Sequence, residues 1–565
     1  MGIRRSIRIA GVALVLLVLG APPALAAPGD LDASWTACGA SAGTACTGSN
    51  GLDYYVYGLG VDPTGKIRVS TGASSYNGQT SGGRFKRFAS NGTLDTGWPT
   101  VAGFTGDSNA SAYDATNDLT YVVGNFTSYN TGSSVQRDFL ARLDSTGALD
   151  TSFQGCYSND CATYNGLNTT AYAVALDSAN VPIIGGAFDG YNFGAAPSSY
   201  VTGIVKLTSG DIAAGWTCRG GITSTKAVKA IAVQADGKII IGGTFTDYGN
   251  AAGSGANCVT GAAGTRVTRS LIARLNANGS LDTSWTGCGA TAGTACSGTN
   301  GLNTTGEVRA LKLQTDGKIL VGGTFTTFNG STANYVIRLN ADGTRDSSFA
   351  PTGMGLSGAV NAIELNPTGR IYVGGAFNLY NGSACRRVAR LMDDGTLDAS
   401  FSCSATYDGD VNAVAYDTSS RRLYVGGAFT DIGGVSRRYL AALSGVSAPS
   451  QPLTVTATAN GLGADVSWAA PASSDGLSVT GYTVTGSPGG SCTTTGTTTC
   501  AVSGLTGGTS YTFTVTATTS AGTSPASAAS NAVTPTGAPD APTALTATAG
   551  DARATIAFTA GSDNG

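Results

Sequence analysis

The sequence predicts an all-β chain: a seven-bladed β-propeller closed by an N-terminal strand, followed by a β-sandwich and the truncated start of a second one. The first observation behind this is a repeated text, VKAIAVQADGKIIIGGTFT at 228–246, VRALKLQTDGKILVGGTFT at 308–326 and VNAIELNPTGRIYVGGAFN at 360–378. Self-similarity at a period of roughly 40–50 residues marks stacked supersecondary units that bury their faces against one another. The second is composition: 83 glycines and only 12 % charged residues in a chain of 565 suit short strands joined by tight turns. The third is a shift beyond Val446 to Ser, Thr, Ala, Pro and Val, which opens a different kind of domain.

Residues 1–26 read as a signal peptide. Arg4, Arg5 and Arg8 precede an apolar run from Ile9 to Leu19, and Ala24-Leu25-Ala26 supplies small residues for cleavage before Ala27. The run is too short for a membrane span, and no other segment approaches the roughly 18–20 apolar residues that one needs. Removing the three arginines from a formal net charge of −3 leaves −6 on the mature chain. With no basic run to displace counterions from phosphates, nucleic acid is excluded as a partner.

The propeller is expected over 27–447. Each unit parses into four strands: at 228–285, VKAIAV alternates, Asp236-Gly237 turns, KIIIGGTFT follows, and SLIARLN, Asn278-Gly279 and SLDTSW complete the unit. Two markers count the blades. The strand end before the loop recurs at Ser70-Thr71-Gly72-Ala73, Gly124-Asn125-Phe126, Gly185-Gly186, Gly242-Gly243, Gly322-Gly323, Gly374-Gly375 and Gly426-Gly427. An aromatic closes the fourth strand at Trp35, Trp98, Phe153, Trp216, Trp285, Phe349 and Phe401. The second series runs one unit ahead of the first. GDLDASW at 29–35 has no preceding blade and the last blade has no fourth strand, so residues 29–35 are expected to complete it and close the ring, leaving no open edge.

These units resemble the delta-60 repeat, a propeller-type repeat of exported, mostly bacterial proteins with no described reaction. The likeness rests on Gly-Lys-Ile-Leu-Val-Gly-Gly-Thr-Phe at 317–325, Asn329-Gly330, Ile337-Arg338-Leu339-Asn340 and Asp342-Gly343-Thr344 with Asp346 and Phe349. It covers most of 28–443 and is weakest at 53–98 and 169–216; it implies architecture and export, and no reaction. Residues 448–536 resemble a fibronectin type III module through the Pro-rich entry, Trp468, Gly481-Tyr482, Leu505 and the alternation of Tyr511, Phe513, Val515 and Ala517, with Tyr511 at the tyrosine-corner position. Residues 537–565 parallel 449–476 and read as an incomplete second module, the stump of a longer protein.

Twelve cysteines in an exported chain imply six disulfides. Spacing suggests Cys38–Cys46, Cys156–Cys161, Cys218–Cys258, Cys288–Cys296, Cys385–Cys403 and Cys492–Cys500, although spacing alone does not fix connectivity. The last pair is foreign to a typical module and is expected to staple a central hairpin. The absence of histidine and of any C-x-x-C pair excludes a zinc site.

Chemistry is sparse. A cation recurs on the third strand at Arg87, Arg142, Lys206, Arg274, Arg338 and Arg390, and an acid recurs past the next turn at Asp95, Asp150, Asp282, Asp346 and Asp398, with Asp32 at the N-terminus. The cations either face an anionic ligand in the channel or pair with the acids across each hairpin; pairing is the simpler expectation. Glu307 and Glu364 are the only glutamates, and there is no histidine base, no Gly-x-Ser-x-Gly elbow and no unpaired thiol. The chain is therefore expected not to be an enzyme and to need no cofactor. Asp393, Asp394 and Asp398, or Asp408 and Asp410, are the calcium candidates, but lack the spacing of a calcium loop and serve equally as turn residues. Near-identical cysteine loops at 35–55 and 285–305, with a shorter relative at 153–170, should emerge on one rim, where a rigid scaffold presents a binding surface. The expectation is a monomeric, secreted or cell-surface binding protein whose partner is a glycan or a protein. The alternatives are a polysaccharide-acting hydrolase and a structural spacer without ligand.

Overall fold

The computed structural model describes residues 29–32, 35, 51–80, 83–98, 103–130, 134–153, 166–191, 201–218, 220–223, 225–250, 258–259, 264–286, 301–303, 305–349, 355–403, 405–445, 448–472, 474, 477–519 and 522–563. The expected signal peptide lies outside them. Every element among the described residues is a β-strand.

The repeated text folds as an antiparallel meander. Val228–Val233 pairs with Ile239–Gly243, which pairs with Ile272–Leu275, in registers Val233↔Ile239 and Gly242↔Ile272. Gly237, at φ +80°, makes the first turn, where the Asp236 carboxylate also accepts from the Lys238 amide at 3.0 Å. Asn278-Gly279 makes the second, with Gly279 at φ +83°. Meanders of this kind also start at Val56, Ser108, Ala171, Val308, Val360 and Val411. In the unit that starts at Val228 the second strand is buried throughout, and the first alternates buried with half-buried residues and exposes none, as expected of sheets stacked face to face.

The expected fourth strand survives as a short paired strand, Asp211–Ile212, in the unit that starts at Ala171, and in the unit that starts at Val228 it shrinks to a single bridge. Leu275 bridges Leu281, and the Asp282 carboxylate then accepts from the amide and hydroxyl of Ser284 at 2.9 and 2.6 Å. That capture bends the chain into a turn before a second bridge can form. The aromatic that follows is buried in every unit, from Trp35 to Phe401.

The glycine pair on the second strand has two separate causes. A Cβ on Gly242 would come within 2.3 Å of Val308 Cγ1 in the next meander, and one on Gly243 within 2.0 Å of the Ala227 carbonyl oxygen in its own. The first glycine admits the neighbouring sheet and the second admits the preceding turn. First strands lie against their successors along the chain, and Val411–Asp417 also lies against Val56–Val61. Near the N-terminus, Leu31 bridges Leu443, and the amides of Gly29 and Asp32 donate to Ser444 and Ala442 at 2.8 and 2.9 Å.

The C-terminal sandwich pairs Leu453–Ala459, Gly463–Ala469 and Thr499–Ser503 in one sheet and Ser491–Thr494, Gly481–Ser487, Thr512–Thr519 and Gly522–Thr523 in the other. Trp468, Tyr482, Val484, Phe513 and Val515 fill its core. The Tyr511 hydroxyl accepts from the Thr506 amide at 3.0 Å, tying the end loop. Cys492 is bonded to Cys500, and the two cysteines stand on strands of different sheets, so the staple joins the sheets rather than the two arms of one hairpin. Thr543–Gly550 and Arg553–Thr559 form a separate two-stranded sheet whose Leu545, Ile556 and Phe558 are exposed.

Candidate functional site

Antiparallel order gives each meander two distinct ends. The two hairpin turns lie at one, the turn end. The start of the first strand and the loop between the second and third strands lie at the other, the entry end.

At the turn end the recurrent cations are consumed. Arg274 Nε donates to Asp282 Oδ2 at 2.8 Å, and its Nη1 reaches the Ala341 carbonyl in the next meander at 2.6 Å. Arg338 spans Asp346 and the Asp393 carbonyl in the same way, Arg390 spans Asp398 and Gly445, and Arg87 spans Asp95 and Ser145. Arg142 holds Asp150 at 2.7 Å. Each guanidinium also lies over an aromatic, Arg87 over Trp98 at 4.2 Å and Arg338 over Phe349 at 5.1 Å. Lys206 departs from the pattern and pairs with Asp177 at 2.6 Å, an acid of the other turn. In the last meander Ala442 occupies the cation position; Arg422, on the adjacent strand, instead binds Asp32 and the Ser90 carbonyl. Burial pushes the Asp282 carboxyl up, but Ser284, Lys238 and Arg274 outweigh it and hold it at about 2. Arg87, Arg274, Arg338, Arg390 and Arg422 thus fasten one unit to another, while Arg142 and Lys206 brace their own, and all are engaged by carboxylates.

The remaining aspartates are equally engaged. Asp393 accepts from Arg338 Nη1 at 2.6 Å, Asp394 from the Thr396 amide and hydroxyl, Asp408 from Thr430 and the Asp431 amide, and Asp410 pairs with Arg387 at 3.3 Å. Among the described residues no group of three or more His, Cys, Asp or Glu is placed to hold a metal ion. Disulfides join Cys218 to Cys258 and Cys385 to Cys403. Cys38, Cys46, Cys156, Cys161, Cys288 and Cys296 lie outside the described residues.

At the entry end the first strand of every meander carries a bulge after its first residue. The bulged residues are Tyr57, Asn109, Tyr172, Lys229, Arg309, Asn361 and Asn412. A bulge re-aims its side chain out of the pleat, here toward the neighbouring meander. Asn109, Asn361 and Asn412 donate to the carbonyls of Ala171, Val411 and Val56 at 2.8, 2.9 and 3.1 Å. Arg309 reaches Asn361 at 2.7 Å, and Lys229 reaches Glu307 at 2.6 Å. Burial raises the Glu307 carboxyl, yet Lys229 and then Arg309 pull it below the ordinary value. Glu364 pairs with Lys312 at 2.5 Å, so both glutamates sit in ion pairs.

The first meander brings a different group to this end. Arg84 Nη1 donates to Asp107 Oδ1 at 2.6 Å, and the Tyr57 hydroxyl donates to Asp107 Oδ2 at 3.3 Å. Burial, then the charge of Asp107, pushes the Tyr57 hydroxyl far above its usual value. Beside it the rings of Tyr54 and Tyr55 lie 4.7 Å apart with planes 31° from parallel, and Tyr439 meets Tyr55 edge-on at 5.5 Å. Tyr54 is 45 % exposed and Tyr55 38 %. Sequence reasoning passed over these tyrosines. The available signal was the replacement of Thr169-Thr170, after Asn165-Gly166-Leu167, by Tyr54-Tyr55 after Asn50-Gly51-Leu52.

Residues 120–153, 234–260, 259–284, 314–349 and 367–401 match a family described as a domain of unknown function, DUF5122, beta-propeller. Residues 447–533 match the fibronectin type III domain. The chain carries DUF5122 β-propeller repeats and a fibronectin type III domain. A stretch of 128 residues is 43 % identical to Chitinase A1 of Niallia circulans; it represents 21 % of this chain and 17 % of that protein. The chain is similar to solved structures of titin kinase and its flanking domains (26 % identity, 16 % of this chain and 17 % of that chain, TM-score 0.14). It is also similar to the FN5 domain of Drosophila Lar (29 % identity, 16 % of this chain and 99 % of that chain, TM-score 0.13). No helix among the described residues is long and apolar enough to cross a membrane.

Proposed function

We propose that this chain is an exported, non-catalytic binding protein of the cell surface or extracellular space. In this reading residues 1–26 are removed, 27–447 form a seven-bladed propeller closed by the N-terminal strand, and 448–536 form a fibronectin type III module, with 537–565 beginning another. The ligand, a glycan or a protein, is engaged at the entry end of the propeller.

The observation that carries the proposal is the contrast between the two ends. Turn-end charges are absorbed in repeated fasteners, whereas the entry end varies from unit to unit and exposes Tyr54, Tyr55 and Tyr172. Variation on a rigid repeat is how a scaffold builds a specific surface. Closure is supported by equivalence. Asn412 reaches Val56 as Asn361 reaches Val411, and Gly426 would meet Val56 as Gly374 would meet Val411. Disulfides support an oxidising compartment. The non-catalytic reading is supported by the pairing of Glu307 with Lys229 and Glu364 with Lys312. The similarity to a chitinase supports a setting among extracellular polysaccharides.

The test is retention of the full chain on cell-envelope extracts and immobilised polysaccharides, with an assay for released sugar in parallel. Saturable retention without sugar release is expected. Release of sugar would favour the hydrolase, and no retention on any surface would leave the spacer.

A further inference from the structure

We propose that Tyr54, Tyr55 and Tyr439, flanked by Asp107 and Arg84, form a subsite for a pyranose unit of a neutral polysaccharide. This rests on the reading of the entry end as the binding face and names what it binds.

Three departures from the repeat fall in this one unit. Where other units carry Gly-Gly-Thr-Phe or Gly-Gly-Ala-Phe, as at 242–245 and 374–377, or Val-Gly-Asn-Phe at 123–126, the first carries Ser70-Thr71-Gly72-Ala73. Gly72 is the change that makes room: a Cβ there would lie 2.4 Å from Tyr54 Cδ1 and 3.1 Å from Asp107 Oδ1. The buried phenylalanine, Phe245 or Phe325 in other units, is Ala73 here. The position opposite Val69 holds Lys86, whereas its counterparts are Ala141, Val205, Ala273, Ile337, Ala389 and Ala441. Lys86 is only 2 % exposed, and its ammonium donates to the Gly83 carbonyl at 2.8 Å. A repeat that abandons its own packing rules at one unit does so where function outweighs stability.

The exposed rings supply the apolar face, and the polar pair at their edge supplies the selectivity. Tyr54 and Tyr55 lie against each other at 4.7 Å, and the surface this tilted pair leaves exposed offers an aromatic face to the C–H face of a sugar ring. Asp107 and Arg84 neutralise each other at 2.6 Å, so the edge offers carboxylate acceptors and guanidinium donors to hydroxyls without a net charge. An uncharged polyhydroxyl ligand fits that pair; an acidic or basic peptide would break it.

The experiment measures depletion of the full chain by colloidal chitin and by microcrystalline cellulose, and retardation in native gels containing xylan or soluble starch. Tyr54→Ala with Tyr55→Ala is expected to weaken binding at least about tenfold, as loss of central aromatic contacts does, and Asp107→Ala to weaken it by a similar factor. Leu462→Ala, an exposed site in the fibronectin type III domain, should leave it unchanged. Thermal melting of each variant separates loss of binding from loss of fold. Full binding by the folded Tyr54/Tyr55 variant would overturn this subsite while leaving the binding role intact. Retention of the wild-type chain on envelope extracts but on none of the four polysaccharides would overturn the neutral-glycan assignment alone. Failure on the extracts as well would overturn both.

Discussion

Asn412 donates from Nδ2 to the backbone carbonyl of Val56 at 3.1 Å, across 356 residues of sequence. The donor stands on a first-strand bulge and the acceptor opens the first strand of another meander, the same relation that Asn361 has to Val411. Removing the amide strands a carbonyl at a packed junction, a loss of roughly 1–2 kcal/mol. Asn412→Ala and Asn361→Ala are both expected to lower the midpoint of denaturant unfolding, Asn361→Ala by more because its side chain also accepts from Arg309. A silent Asn412→Ala beside a destabilising Asn361→Ala would separate the two ends of the repeat array.

Close packing at the same junction gives a sharper test. A methyl on Gly426 would lie 2.4 Å from Val56 Cγ1, and one on Gly374 2.6 Å from Val411 Cγ1. Neither glycine has a positive φ, so alanine suits the backbone and the effect is one of crowding. Overpacking of this kind costs about 1–3 kcal/mol. Equal destabilisation by Gly426→Ala and Gly374→Ala, read by calorimetry, is the expected outcome for a closed ring; an open ring would accommodate the Gly426 methyl by letting the terminal sheets part.

The turn-end fasteners impose an acid limit. The Asp282 carboxyl, at 3.8 when unperturbed, is held at about 2, and Asp95, Asp150, Asp346 and Asp398 are lowered for the same reasons. A carboxyl depressed in the folded state contributes stability in full above its unfolded value and loses it as pH falls through the folded one. The propeller is therefore expected to lose melting temperature steeply between about pH 4 and pH 2. Asp282→Asn should cost roughly 2–4 kcal/mol at neutral pH, since it leaves Arg274 and Lys238 without their shared acceptor. The difference from wild type should shrink toward pH 2, and a constant difference would point to a packing defect instead.

Much of this architecture is legible in the sequence because repetition multiplies weak signals. One Asp236-Gly237 pair is an ordinary turn, but its recurrence before KIIIGG and KILVGG defines a unit. The cation and acid series is legible for the same reason. Departures from the repeat are not. Lys206 lacks the expected acid and takes Asp177, which only the fold brings near. The bulge at Asn109, Asn361 and Asn412 is hidden because it falls after the first residue of the strand, so the residues beyond it keep an uninterrupted pattern. The first unit reads as a poor copy through Gly72, Ala73 and Lys86, and of these Gly72 is the one against which Tyr54 packs.

Lys86 makes that cost measurable. Burial pushes its ammonium from 10.5 down to about 8, with Asp53 offsetting only part of the effect. A cation disfavoured by folding lowers stability wherever the unfolded chain still holds the proton. Between about pH 8 and 10.5 the unfolded state binds more protons than the folded one, so stability should rise with pH there and be flat, at its lower level, below about 8. Lys86→Met keeps the apolar stem and removes the charge. Because each tenfold loss of proton affinity on folding corresponds to ~1.4 kcal/mol, the substitution should stabilise the chain by at most about 3–4 kcal/mol at pH 7 and abolish this residue's alkaline increment. Melting curves of both proteins at pH 7, 8.5 and 10 read the effect directly. A Met variant no more stable at pH 7 would mean that the ammonium is well solvated or well paired where it lies, and that the first unit bears no cost for departing from the repeat.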